Sequence, residues 1–281
     1  MKIIGVGDNV VDYYKDRGEI YPGGNALNVA VLAKRYGADA SSYLGIVGND
    51  DAGEHITNSL REEGVDISRL RTGFGQNWES IISLNEDADR IFIGSNRGTC
   101  VQSIMKINFN QDDFDYLQNY DLLHTSIYSY IESELPELSK HITLSFDFSS
   151  NVHDEYLKEV CPYVTYGFFS GSELTKDECL QLIKKVAAFG VEVIGVTRGA
   201  KGAIFYREGK IFEQPIIETD VVDTLGAGDS FISKFLTYYY KTKDMENALK
   251  ESAKAASATC EIYGAFGHGI PKRVRNLNET V

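Results

Sequence analysis

The sequence predicts an α/β fold: a central, mostly parallel sheet with helices on both faces, plus a small β lid. Three observations lead there. Short β-branched runs alternate with stretches of helical apolar spacing, glycine-rich turns open several of those helical stretches, and two segments patterned as paired strands interrupt the alternation.

In chain order, Ile3-Ile4-Gly5-Val6-Gly7 reads as a strand, Asn25 to Tyr36 as the first long helix, Ser42 to Ile46 as a strand and Gly53 to Glu63 as a helix. Leu122-Leu123-His124, Leu144 to Asp147 and Val193 to Val196 are further strands, with a helix over Lys176 to Phe189. Ligands of such sheets bind at the carboxyl ends of strands, which makes Asp12, His124, Asp147 and Thr197 candidates by position. The two interruptions are Val10 to Tyr21, with turn residues at Asp16-Arg17-Gly18, and Ser80 to Leu84 with Arg90 to Ile93 around the turn-rich Asn85 to Asp89. They predict lid strands at about 10–21 and 76–97 inserted in a single domain spanning 1–281, placed to exclude water from a reactive group. The polar tail Asn276 to Val281 belongs to no element.

Composition narrows the partners. Twenty-eight Lys and Arg against 41 Asp and Glu give a net charge of −13, which disfavours nucleic acid and anionic membranes and means that an anionic ligand needs local help. No run approaches a membrane span and the N-terminus opens directly into a strand, so the expected location is cytoplasmic. Cys100, Cys161, Cys179 and Cys260 are dispersed, as are the five histidines; neither a zinc site nor a disulfide framework is suggested.

Three motifs carry chemistry. Asp223-Thr224-Leu225-Gly226-Ala227-Gly228-Asp229 stands before helical apolar spacing at Phe231, Ile232, Phe235, Leu236 and Tyr239. It reads as a helix N-terminus stripped of side chains, where unpaired N–H groups receive an anion. Asp229 beside that hole suits a base taking a proton from an attacking hydroxyl, although Asp is also a common helix cap. Upstream, Gly23-Gly24-Asn25-Ala26-Leu27-Asn28 opens the first helix, its glycines allowing close approach and its two amides, one turn apart, suiting the hydroxyls of a polyol. Thr197-Arg198-Gly199-Ala200-Lys201-Gly202 follows a strand and can wrap a phosphate. A dinucleotide fingerprint fails, because Gly5-Val6-Gly7 lacks its third glycine, and no Walker loop occurs.

With Asp12, these motifs in this order resemble the ribokinase-like (PfkB) carbohydrate kinases over nearly the whole chain. That resemblance implies a phosphotransferase in which Asp229 is the base and the N–H groups of Gly226, Ala227 and Gly228 hold the migrating phosphoryl group. It implies sugar binding by Asp12, Gly23, Gly24, Asn25 and Asn28, with Arg90, Tyr13 and Trp78 of the lid discriminating among substrates. ATP contacts fall to Thr197, Gly199, Gly202 and Thr224, with Ala253 to Gly264 near the adenine. Mg²⁺ is implied at Glu173, through water, and a monovalent cation such as K⁺ near Asp223 and Tyr263-Gly264-Ala265. The family's N-x-x-E reads Ser170-Gly171-Ser172-Glu173, so the Asn is replaced by a shorter side chain. The stretches at Gly7 to Asp12, Gly24 to Ala30, Phe146 to Ser149 and Tyr263 to Ala265 are most similar to kinases acting on the 6-hydroxyl of fructoselysine, a fructosamine. Ribokinase, fructokinase or nucleoside kinase activity is the alternative, and a non-catalytic sugar-binding sensor the remote one. Exposed apolar lid strands would favour a homodimer through the lid.

Overall fold

The computed structural model describes residues 1–84 and 90–273. The expected turn at 85–89 and the tail from 276 lie outside the described residues, as do the side chains of Leu84 and Arg90. The strands are β1 (Lys2–Gly7), β2 (Val10–Tyr14), β3 (Glu19–Gly23), β4 (Ala40–Gly48), β5 (Arg71–Gly73), β6 (Glu79–Leu84), β7 (Arg90–Ser95), β8 (Leu122–Ser126), β9 (Thr143–Asp147), β10 (Tyr166–Ser170), β11 (Val193–Thr197), β12 (Ala203–Arg207), β13 (Lys210–Gln214) and β14 (Ile270–Pro271). The helices are α1 (Asn25–Arg35), α2 (Asp51–Glu62), α3 (Val101–Ile104), α4 (Gln111–Leu117), α5 (Leu135–Leu138), α6 (Asp154–Val160), α7 (Lys176–Ala188), α8 (Ala227–Thr242) and α9 (Met245–Thr259).

The large sheet runs β13-β12-β11-β10-β9-β8-β1-β4-β5. From β11 to β5 the neighbours are parallel. In β1 the successive residues Ile3 and Ile4 are both fully buried although they point to opposite faces, as a sheet covered on both sides requires. Ile4, Leu123 and Phe146 join one core cluster, while Ile3, Phe168 and Phe205 pack with Phe231, Phe235 and Tyr239 of α8 in the other. The antiparallel edge β12–β13 is not apparent in the sequence. Its two-residue turn, Glu208-Gly209, has both φ values positive (49° and 79°), but Glu in the first position hides the usual Asn-Gly signal.

The second sheet, β14-β3-β2-β6-β7, is the lid. Both expected strand pairs are there, β3 extends to Gly23, and β14 joins from near the end of the described chain. β2 lies parallel to β6 with Asp12 opposite Ser80. The four cysteines are unpaired, and among the described residues no helix is long and apolar enough to cross a membrane.

Candidate active site

The site lies where the lid joins the large sheet. Only Asp8 and Asn9 separate β1 from β2, and only Gly24 separates β3 from α1. The two crossings touch: a Cβ added at Gly24, whose φ is 109°, would lie 2.6 Å from the Asn9 Cα, and one at Gly23 would lie 2.6 Å from Asp12 Oδ2. The sequence reading gives these glycines to a ligand, but the structure fills their side-chain space with the chain itself. Steric exclusion at a crossing and close approach to a ligand leave the same sequence trace.

Helix α1 has no cap of its own, because Gly24 carries no side chain. Asp8 caps it from the end of β1, its carboxylate accepting from the backbone N–H of Asn25 (2.6 Å) and Ala26 (3.3 Å). The hydroxyls of Ser126 and Ser129 donate to the same carboxylate at 2.8 and 2.9 Å. Asp8 was not assigned from sequence; its signal was its place at the carboxyl end of a central strand, the argument that was applied to Asp12.

The Asn25 side chain is fully engaged. Its Nδ2 donates to Asp147 Oδ2 (2.8 Å) and Asp229 Oδ1 (2.7 Å), so its Oδ1 faces His124 Nε2 at 2.9 Å. That arrangement fixes His124: Nε2 carries the proton and Nδ1 accepts from the Ser145 hydroxyl, 2.8 Å away. Burial holds the imidazole neutral, with its pKa lowered to about 3. Asn25, expected from the sequence to bind the sugar, thus has both ends of its amide engaged by protein groups. Asn28 differs. Its Nδ2 donates to Asp229 Oδ2 at 2.6 Å, while its buried Oδ1 has no hydrogen-bond partner. An orphaned acceptor of that kind costs free energy unless a ligand hydroxyl meets it.

Asp229, in the first turn of α8, is thus gripped on both oxygens by amides of α1. Asp147 beside it is pushed up to about 7, first by burial and then by the charge of Asp229. Asp147 therefore holds its proton to a higher pH than an ordinary carboxylate.

The start of α8 has no side-chain cap. Gly226 (φ 76°) is required by packing, since a Cβ there would lie 2.3 Å from the Ala265 Cβ. A Cβ on the exposed Gly228 would meet nothing within 4 Å. The first intrahelical bond joins Ser230 N to the Gly226 carbonyl at 2.8 Å, and Ala227 N donates to the Thr224 carbonyl at 3.3 Å. Of the glycines expected to form an anion hole, Gly228 leaves open space at the helix start and Gly226 packs against the Ala265 loop. Asp223, fully buried, ties these segments together. Its carboxylate accepts from Leu225 N (2.9 Å), Gly264 N (2.9 Å) and the Tyr14 hydroxyl of the lid. Burial and the adjacent Asp223 charge push the Tyr14 pKa up and keep its proton on the phenol. Nothing in the sequence marks Tyr14, whose partner lies 209 residues away.

Thr197 ends β11 and Glu173 is exposed in the loop after β10; Gly171 N donates to the Thr197 carbonyl at 2.7 Å. Gly199 (φ 54°) faces open space, a Cβ there meeting only Ser172 Cβ at 4.0 Å. Gly202 (φ 81°) packs against the Gln214 carbonyl, 2.2 Å from where its Cβ would lie, so that glycine is required by the fold. The backbone of Arg90 opens β7, and its side chain lies outside those described.

Three comparisons bear on this arrangement. A family model described as pfkB family carbohydrate kinase matches residues 2–273. The fructosamine kinase of Bacillus subtilis (strain 168) is 50% identical over 276 residues, 98% of this chain and 96% of that protein. The fructoselysine 6-kinase of Escherichia coli (strain K12) is 32% identical over 264 residues, 93% of this chain and 98% of that protein. Among solved structures, a putative ribokinase II from E. coli in complex with ATP and Mg²⁺ superposes with a TM-score of 0.77 at 18% identity, covering 94% of each chain.

Proposed function

This chain belongs to the pfkB family of carbohydrate kinases, and from that premise we propose that it transfers the γ-phosphoryl group of ATP to a primary hydroxyl of a fructosamine, the 6-hydroxyl of fructoselysine or a close relative. One observation carries the reading: the Asp229 carboxylate, held by Asn25 and Asn28, stands in the first turn of α8 beside the bare backbone of Gly228.

The roles follow from that geometry. Two amide donors fix the plane of the Asp229 carboxylate, so it takes the proton of the attacking hydroxyl without rearranging. The N–H groups at Ala227 and Gly228 and the helix dipole meet the charge that develops on the phosphoryl oxygens. Asn28 Oδ1 accepts from a sugar hydroxyl, and Asp12 and the Gly24 crossing shape the sugar side. Thr197, Gly199 and Thr224 line the nucleotide side. Among the described residues no cluster of three metal-ligating side chains occurs. The lone exposed Glu173 therefore fits a Mg²⁺ whose remaining ligands are phosphate oxygens and water, and that ion would neutralise phosphate charge. We do not place a monovalent cation at Asp223, because its carboxylate already accepts from Tyr14, Gly264 and Leu225.

For a partner we propose a second copy of the chain. Edge strand β7 exposes Ile91 (51%), Phe92 (65%) and Ile93 (49%), an apolar lid face that pairing of two lids would cover. Light scattering that returns a monomer at micromolar concentration refutes this.

The function is tested by coupled ADP release with fructoselysine, fructose, ribose and nucleosides, and by mapping the phosphate on the product. The expected result is a kcat/KM for fructoselysine well above the others, with phosphate on O6. Faster turnover of fructose or ribose moves the enzyme to another member of the family; tight sugar binding with no ADP release makes it a sensor.

A further inference from the structure

At the rim of the cleft, the Arg97 guanidinium lies over two aromatic rings, 5.0 Å from the centre of Trp78 and 5.3 Å from that of Tyr130. The three residues bridge the two halves of the site, Trp78 and Arg97 flanking the outer lid hairpin and Tyr130 following β8 of the large sheet. Each wall is tied to the floor. On the lid side the Trp78 carbonyl accepts from Val11 N (2.9 Å), next to Asp12, and its indole N–H donates to Ser95 Oγ (2.8 Å). On the sheet side Ser129, which precedes Tyr130, donates to Asp8, while Tyr128 bonds Ser149 Oγ (2.9 Å), whose N–H reaches Asp147 at 2.7 Å.

The chemistry of this rim is specific. Arg17, Arg35, Arg69, Arg71 and Arg207 each pair with a carboxylate. Arg97, like Arg61, Arg198 and Arg273, pairs with no carboxylate among the described residues; it is exposed and lies over two rings, in a chain whose net charge is −13. With its Cζ 5.0 and 5.3 Å from two ring centres and no side-chain acceptor among the described residues, its N–H donors are what it offers to a ligand, and a guanidinium fork can grip a carboxylate in two-point fashion. A fructose unit with its 6-hydroxyl at Asp229 directs its C1 end, and whatever the C1 amine carries, away from the base.

We infer that Trp78, Arg97 and Tyr130 form a carboxylate-binding subsite that selects fructosamines whose amine belongs to an amino acid. The inference rests on the fructosamine reading above and gives the substrate's non-sugar half its recognition. The lid thereby discriminates by charge, at a residue the sequence reading does not single out.

The test compares kcat/KM for fructosyl-lysine with that for its carboxamide, the sugar placed on either lysine amine. For at least one linkage the acid should exceed the amide by about tenfold or more, the scale of a charge-assisted hydrogen bond at a partly exposed site, mainly through KM. In Arg97→Gln that ratio should fall towards one, and in Arg97→Lys it should be partly kept. Because the ratio is taken within each protein, a loss of folded fraction cancels. As a second variant, Tyr130→Leu should lower the ratio by removing one of the two rings beside the guanidinium. A wild-type ratio near one for both linkages, or a ratio that survives Arg97→Gln, overturns the subsite while leaving the kinase reading intact. Failure of the wild type to phosphorylate any fructosamine overturns both.

Discussion

Two helices in this protein begin on glycines, and they use them in opposite ways. At α1, Gly23 and Gly24 yield their side-chain space to Asp12 and Asn9, and the N–H groups of Asn25 and Ala26 are capped by Asp8. At α8, Gly226 is likewise packed, but Gly228 faces open space and no side chain caps the helix. One helix start is closed by a carboxylate and the other, uncapped by any side chain, is where we propose that the anion enters. The closed one then lends Asn25 and Asn28 to hold Asp229 on the open one. A glycine-led helix is therefore not itself a phosphate site; what decides is whether a carboxylate already occupies its N–H groups.

The largest effect should come from removing the chemistry at the open end. Asp229→Asn should lower kcat by about 10²–10⁴-fold with the KM for ATP unmoved, as read by coupled ADP release. Near-wild-type turnover would remove Asp229 from the base role. At the closed end the damage should be to the fold: Gly24→Ala, forced to φ 109° with its Cβ against Asn9, should cost about 1–3 kcal/mol in urea unfolding. An unchanged midpoint would mean that the crossing is looser than described.

Asp147, between the two helices, gives a smaller and pH-dependent effect. Burial and the Asp229 charge raise its carboxyl from the ordinary 3.8 to about 7 in the folded state. Between those values the native state holds a proton that the unfolded chain releases, so stability falls as pH rises through that window. Thermal melts at steps from pH 4 to pH 8 should show this decline, and Asp147→Asn should flatten it. An identical slope in the variant would assign it to other groups. The smallest structural effect, and the sharpest contrast, should come from Gly228→Ala. A methyl group in open space on a helix should raise stability by about 0.5–1 kcal/mol, yet crowd the anion and lower kcat/KM about tenfold or more. Gain of stability with loss of turnover at one helix start, and loss of stability at the other, is the signature of the division.

Much of the fold could be read from the sequence because the deciding forces are local and periodic. The runs at Ile3 to Gly7, Leu122 to His124 and Val193 to Val196 alternate with helical spacing, and every strand they predict is present. β5, β10, the antiparallel edge and β14 escape that reading: β10 reads Tyr166-Gly167-Phe168-Phe169-Ser170 with no β-branched residue, Glu208 disguises the turn of the edge, and strands of three and two residues have no pattern. In the site, the Gly226 to Asp229 signal was readable because an uncapped glycine-rich helix start is written in consecutive residues.

What each residue is bonded to was not written there. Asp8 as the cap of α1, the chain from Ser145 through His124 and Asn25 to Asp229, and Tyr14 on Asp223 join residues 17 to 209 positions apart. The sequence by itself determined the alternation of strand and helix, the insertion of a lid and the order of the motifs, since these follow from spacing and from turn chemistry. Only the tertiary structure decided which glycines serve packing and which face open space, and which amide oxygens are paired and which are left without a partner. A glycine and an amide present the same atoms in every context, and only neighbours brought from elsewhere in the chain fix what those atoms meet.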